Sequence, residues 1–97
     1  MRYAIKEDGF YWAAMPKSIE EARRIVFRDM ATTYRITKKL RSRTFNVYGT
    51  KDETLPIGKY PLIGKLSLDG KTGRLYWSPK SSAKKYAVNR DGEIRRV

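Results

Sequence analysis

The sequence predicts a small α+β domain in which one helix packs on an antiparallel sheet built from hairpins. Three observations carry that expectation. One stretch, about residues 18–30, repeats its apolar residues at helical spacing. Most other apolar residues fall in short runs rich in aromatic and β-branched residues, separated by Asp-Gly and similar turn pairs. Hydrophobic residues make up 40% and aromatics 12% of the 97 residues, enough for a packed interior and too many for a disordered chain. The length suits a single basic domain spanning 1–97.

The elements follow in chain order. Arg2–Lys6 reads as a strand, turned by Glu7-Asp8-Gly9 into a second strand over Phe10–Ala14. Pro16-Lys17-Ser18 opens the helix, with Ser18 as N-cap and Glu21 completing a capping box. Ile19, Ala22, Ile25, Val26 and Met30 fall on one face. The next stretch admits two readings. Tyr34, Ile36 and Leu40 alternate as in a strand. Alternatively, Thr32 caps a second short helix over about 32–42, with Ile36 and Leu40 on its buried side. The formers in Arg35–Arg41, with no breaker among them, favour the helix. Thr44–Tyr48 is a strand, and Lys51–Pro61 a loop with Pro56, Gly58 and Pro61. Leu62–Leu68 and Arg74–Trp77 form a hairpin about the turn Asp69–Gly73. Lys85–Asn89 and Glu93–Val97 form the last hairpin about Arg90-Asp91-Gly92. Tyr-Ala, a β-branched residue and a later Asp-Gly recur at Tyr3 and Tyr86, a likeness that hairpins share without common ancestry.

Charge narrows the function. Twenty-two Lys and Arg stand against ten Asp and Glu, a formal net charge of +12. Solubility alone asks for about 2–8 in a small domain. A polyanionic partner relieves the self-repulsion and releases counterions as it binds. The excess is uneven. Met30–Lys51 holds Arg35, Lys38, Lys39, Arg41, Arg43 and Lys51 and no acid, and Arg74–Val97 holds seven basic residues against two acidic. The expectation is a nucleic-acid-binding domain, DNA before RNA, in which these two segments meet in one positive face. On duplex, five phosphate contacts would give a log–log salt slope of about −4 to −5. The alternative is a small phage or mobile-element protein that docks on an acidic surface of a host protein.

Other classes find little support. There is no histidine and no cysteine, which removes the commonest general base, the commonest metal ligand and any disulfide. No cofactor, metal site, small-molecule substrate or enzymatic activity is expected. Gly64–Thr72 ends in Gly-Lys-Thr, but five residues separate its glycines where a phosphate-cradling loop has four. Asp52-Glu53 reads as a solvated loop pair. No apolar run nears the roughly 20 residues that cross a bilayer, and Lys6-Glu7-Asp8 breaks any signal-peptide pattern, so the expected compartment is the cytoplasm.

The candidate binding residues are Thr33, Tyr34, Arg35, Thr37, Lys38, Lys39, Arg41 and Arg43, seconded by Lys84, Lys85, Arg95 and Arg96. Lysine and arginine neutralise phosphates, and threonine and tyrosine hydroxyls bond phosphate oxygens or base edges. Tyr48, Tyr76 and Trp77 stack on bases if they reach the surface. Asp8-Gly9, then Lys17-Ser18-Ile19-Glu20-Glu21-Ala22-Arg23-Arg24, then Thr33 to Arg43 resembles the NUMOD-type DNA-binding modules of phage homing endonucleases. The likeness covers roughly Tyr3 to Gly49, with Phe27 where the turn glycine is usual. It implies a helix-turn-helix with Thr33, Tyr34, Thr37, Lys38 and Arg41 facing DNA.

Overall fold

A computed structural model describes residues 1–97. Its elements are β1 (Arg2–Glu7), β2 (Phe10–Tyr11), α1 (Ile19–Thr37), β3 (Arg43–Thr50), β4 (Leu62–Leu68), β5 (Leu75–Pro79), β6 (Tyr86–Val88) and β7 (Ile94–Arg96), with a 3-10 turn at Ile57–Lys59. The strands form one antiparallel sheet in the order β2-β1-β3-β4-β5-β6-β7. The chain is thus an α+β domain, with α1 carrying it from the β1–β2 hairpin back to pair β3 with β1. Asp8 and Gly9 both adopt positive φ, 52° and 85°, the two-residue turn whose twist suits a tight hairpin.

The start of α1 forms as its residues dictate. Ser18 Oγ accepts from the Glu21 N–H at 3.0 Å. The Glu21 carboxylate accepts from the Lys17 N–H at 2.9 Å, one residue earlier than a standard capping box. Its end differs from the expectation. A single helix of 19 residues runs unbroken through to Thr37. There is no second helix over 32–42, no strand there, and no turn between two helices. Nothing from Phe27 to Arg35 is a glycine or proline that would stop it. Met30 is the last buried residue of α1, and Thr33–Thr37 are exposed, with Ile36 at 73%. The final turns therefore overhang the sheet, and no apolar stripe marks them in the sequence. Lys38 closes the helix in the left-handed region, φ 58°, its N–H donating to the Tyr34 carbonyl at 2.8 Å.

Register assigns the two faces of the sheet. Arg43, Leu68, Leu75, Val88 and Ile94 lie in one cross-strand row, and Phe45, Leu66, Trp77, Tyr86 and Arg96 in the next. This is the face covered by α1. Ala22, Val26 and Met30 pack with Ile5, Phe45, Val47, Leu66, Leu68, Leu75, Trp77 and Val88 into one apolar core. Trp12, just past the shortened β2, stands edge-on to Phe45 at 5.6 Å. Two glycines permit the packing. A Cβ at Gly64 would lie 2.5 Å from the Trp77 ring. Gly92, φ 81°, lies against the Glu20 carbonyl, and its own carbonyl accepts from Arg23 Nε at 2.6 Å. That bond ties the β6–β7 turn to the first turns of α1. No helix is long and apolar enough to cross a membrane.

Candidate nucleic-acid interface

The opposite face of the sheet has no helix over it. Strand alternation sends Lys6 of β1, Tyr11 of β2, Thr44, Asn46 and Tyr48 of β3, Lys65 and Ser67 of β4, Tyr76 and Ser78 of β5, and Ala87 and Arg95 of β6 and β7 to this side. They form two long rows. Thr44, Ser67, Tyr76, Ala87 and Arg95 lie in register across five strands. Tyr11, Lys6, Asn46, Lys65 and Ser78 cross the sheet in the other. Lys85 joins this face just before β6, its Nζ 4.2 Å from the Tyr76 ring centroid. Lys6 sits likewise 5.0 Å from the Tyr11 ring, and Tyr11 meets Tyr48 edge-on at 6.4 Å. No Asp or Glu occurs in these rows.

Lys65, Lys85 and Arg95 are exposed, and Lys6, Tyr11, Tyr48 and Tyr76 are half-buried. The cations are free of carboxylates. In the whole chain only Arg24 and Arg43 form ion pairs with acidic residues. The face therefore presents positive charge and aromatic rings together, with the Lys6 and Lys85 ammonium groups each over a ring.

The sequence-derived candidates distribute over separate surfaces. Thr33, Thr37, Lys39, Arg41 and Arg43 line a cleft at the exit of α1, shared with Glu7 and Asp8. Tyr34, Arg35 and Lys38 are exposed on the last turns beside it. Thr37 is occupied internally, its hydroxyl donating to the Thr33 carbonyl at 2.8 Å. Arg43 is not a free cation. Its Nε and Nη2 donate to Glu7 at 2.7 and 2.8 Å, and Nη2 lies 3.1 Å from Asp29. That pairing raises the Arg43 pKa and holds the Glu7 carboxyl below its ordinary 4.5. Arg43 and Glu7 lie on the helix-covered side, where burial favours satisfying each charge locally. In the tail, Lys85 and Arg95 join the open face, whereas Arg96 pairs with Tyr86 on the other side and Lys84 stays exposed in the β5–β6 loop. The central and tail segments therefore do not merge into one acid-free patch. The two long rows of the sheet face are free of acids, and the α1 exit reaches that face where Ser42, whose Oγ accepts from the Gly70 N–H, leads into Thr44.

Trp77, an expected stacking residue, is in the core at 4% exposure, while Tyr48 and Tyr76 reach the open face. Lys6, Tyr11 and Lys65 escaped the sequence reading. Their signal is present as the polar phase of strand alternation, but the strand order is needed to bring them together. The turn at Asp69–Gly73 cannot cradle a phosphate, because the Asp69 carboxylate already accepts from the Lys71 and Thr72 N–H groups at 2.8 and 3.4 Å.

The fold and this face define a small basic α+β domain with one covered and one open sheet surface. No family profile, no curated protein and no solved structure matches the chain.

Proposed function

We propose that the domain binds nucleic acid through the open face of its sheet, acting as a binding module and not as an enzyme. One observation carries this reading: Lys6, Lys65, Lys85 and Arg95 share a surface with Tyr11, Tyr48 and Tyr76, its two long rows hold no carboxylate, and Asp69 and Glu93 follow on that side only at the strand ends. Ordinary surfaces mix charge signs evenly, and a surface weighted this far to one sign on a chain of net charge +12 is stabilised by a polyanion. The expectation of DNA came from charge; the helix-turn-helix that the family resemblance implies would have added to it, and the continuous α1 lends that geometry no support.

Fluorescence anisotropy with labelled oligonucleotides at several salt concentrations tests the proposal. Four phosphate contacts give a log–log slope of about −3 on a single strand or about −4 on duplex. Lys65→Glu with Lys85→Glu places acids on the face and weakens binding at low salt by at least about tenfold, with each charge worth roughly a kilocalorie or more. Absence of binding, or binding indifferent to salt, would reject it and return the acidic-protein partner as the better reading.

A further inference from the structure

We propose that the open face is a stacking platform for single-stranded RNA, an assignment that rests on the nucleic-acid reading above and adds the state and kind of strand. Three features select a single strand. First, the rings on this face are partly open to solvent. Tyr11, Tyr48 and Tyr76 are half-buried, and the Tyr11 and Tyr76 rings are met by the lysine ammonium groups of Lys6 and Lys85, at 5.0 and 4.2 Å, which an arriving phosphate draws aside. A tyrosine ring recognises the flat surface of a base. In a duplex those surfaces are covered by neighbouring bases, and only edges and phosphates are presented. A duplex would therefore use the cations and leave the rings unmatched.

Second, the spacing demands an opened strand. Tyr76 lies in register with Thr44, which is four residues along β3 from Tyr48 and two strands away. At about 3.3 Å per residue and about 4.8 Å per strand, Tyr48 and Tyr76 stand roughly 16 Å apart on the sheet. The stacked rise of a strand is about 3.4 Å. Bases resting on both rings must be splayed from their neighbours, with intervening nucleotides crossing Asn46, Lys65 and Ser67. Splaying of unpaired bases onto aromatic side chains is the usual route of sequence-tolerant single-strand recognition.

Third, the ground between the rings is polar and short. Thr44, Asn46, Ser67 and Ser78 lie in the same two rows and make no side-chain hydrogen bonds within the protein. Each carries both donor and acceptor capacity. The ribose 2′-hydroxyl is a donor and an acceptor that deoxyribose lacks, and it distinguishes RNA from DNA at a site. The cations sit where a backbone passing over the rings runs: Lys85 beside Tyr76, Lys6 beside Tyr11, and Lys65 between them in register with Asn46 and Ser78.

The test is an anisotropy series with an unstructured 12-nucleotide RNA, the DNA of the same sequence, and the corresponding RNA duplex. The whole chain is used, with thermal melts confirming that each variant folds. The RNA strand is expected to bind at least tenfold more tightly than the duplex, and more tightly than the DNA strand. Tyr76→Leu and Tyr48→Leu each weaken RNA binding by about 5- to 150-fold, the loss of one stacked base. Tyr76→Phe and Tyr48→Phe, which keep the ring, retain it. Phe10→Leu, an exposed aromatic on the helix side, leaves affinity unchanged. Folded leucine variants that bind as the parent does, or a preference for duplex, would overturn the stacking platform while leaving the nucleic-acid reading intact. Equal affinity for the DNA strand would overturn the assignment to RNA. A parent protein that binds none of the three probes would reject both readings together.

Discussion

Glu7, Arg43 and Asp29 show how much a single residue's role depends on partners distant in the chain. In sequence, Arg43 is one more cation in an acid-free run, and Glu7 is a turn residue. In the fold they are joined by paired hydrogen bonds across 36 positions, on the side of the sheet packed against α1. Only pairing of β1 with β3 brings them together, and local pattern carries no trace of it. Because the Arg43 hydrogen bonds lower the Glu7 pKa in the folded state, the pair stabilises the fold above pH 4.5, Glu7's ordinary value. That stability is lost as pH falls through the lower folded value. Glu7→Gln is expected to cost about 1–3 kcal/mol at neutral pH, toward the low end because Asp29 still faces Arg43. It should also flatten the decline of melting temperature in acid, measurable by calorimetry between pH 7 and pH 3. Lys38 gives a residue-level prediction of opposite sign. A side chain at φ 58° costs energy that glycine does not, so Lys38→Gly is expected to stabilise by about 1 kcal/mol in urea melts.

At the scale of elements, the clearest success and the clearest failure of sequence reasoning fall within α1. Its first half is legible because Ser18, the early acids and the Ala22–Val26–Met30 stripe state the same thing. Its second half is not, because beyond Met30 the helix touches too little of the sheet to need an apolar face. Propensity alone sustains it, and propensity differences are small. Thr32 separates the two readings. As an N-cap it would lose about 1 kcal/mol on truncation. Inside a continuous helix, Thr32→Ala is expected to be neutral or to stabilise by a few tenths of a kcal/mol, while Thr32→Pro costs about 3 kcal/mol or more. Paired urea melts of the two variants decide it. The strands were legible as short runs, and Leu62–Leu68 in its full extent. What the runs do not encode is their neighbour order, and hence which polar phases share a face. Gly92 is an element-level joint: Gly92→Ala would force a side chain into the Glu20 carbonyl at a positive φ, and loss of cooperative folding in a thermal melt is the expected outcome.

The molecule as a whole divides its charge by surface more than by segment. Lys39, Arg41 and Arg43 share their cleft with Glu7 and Asp8, whereas the cations of the open face form no ion pair with an acid. A count along the chain correctly finds a surplus of charge but only half of this surface, since Lys85 and Arg95 belong to the basic tail whereas Lys6 and Lys65 lie outside both basic segments. Repulsion on that face is unrelieved in the free protein. Added salt should therefore raise the melting temperature modestly in the absence of ligand, even as it weakens nucleic-acid binding.

The most direct measurement of the central claim is a residue-resolved map of where an oligonucleotide lands. In a nitrogen-15 correlation titration with a short single-stranded RNA, the largest shifts are expected at Thr44, Asn46, Tyr48, Lys65, Ser67, Tyr76 and Arg95. Ala22, Val26 and the buried side of α1 should stay still. Shifts centred on Arg35–Arg41 with a silent sheet, or no shifts at all, would contradict it.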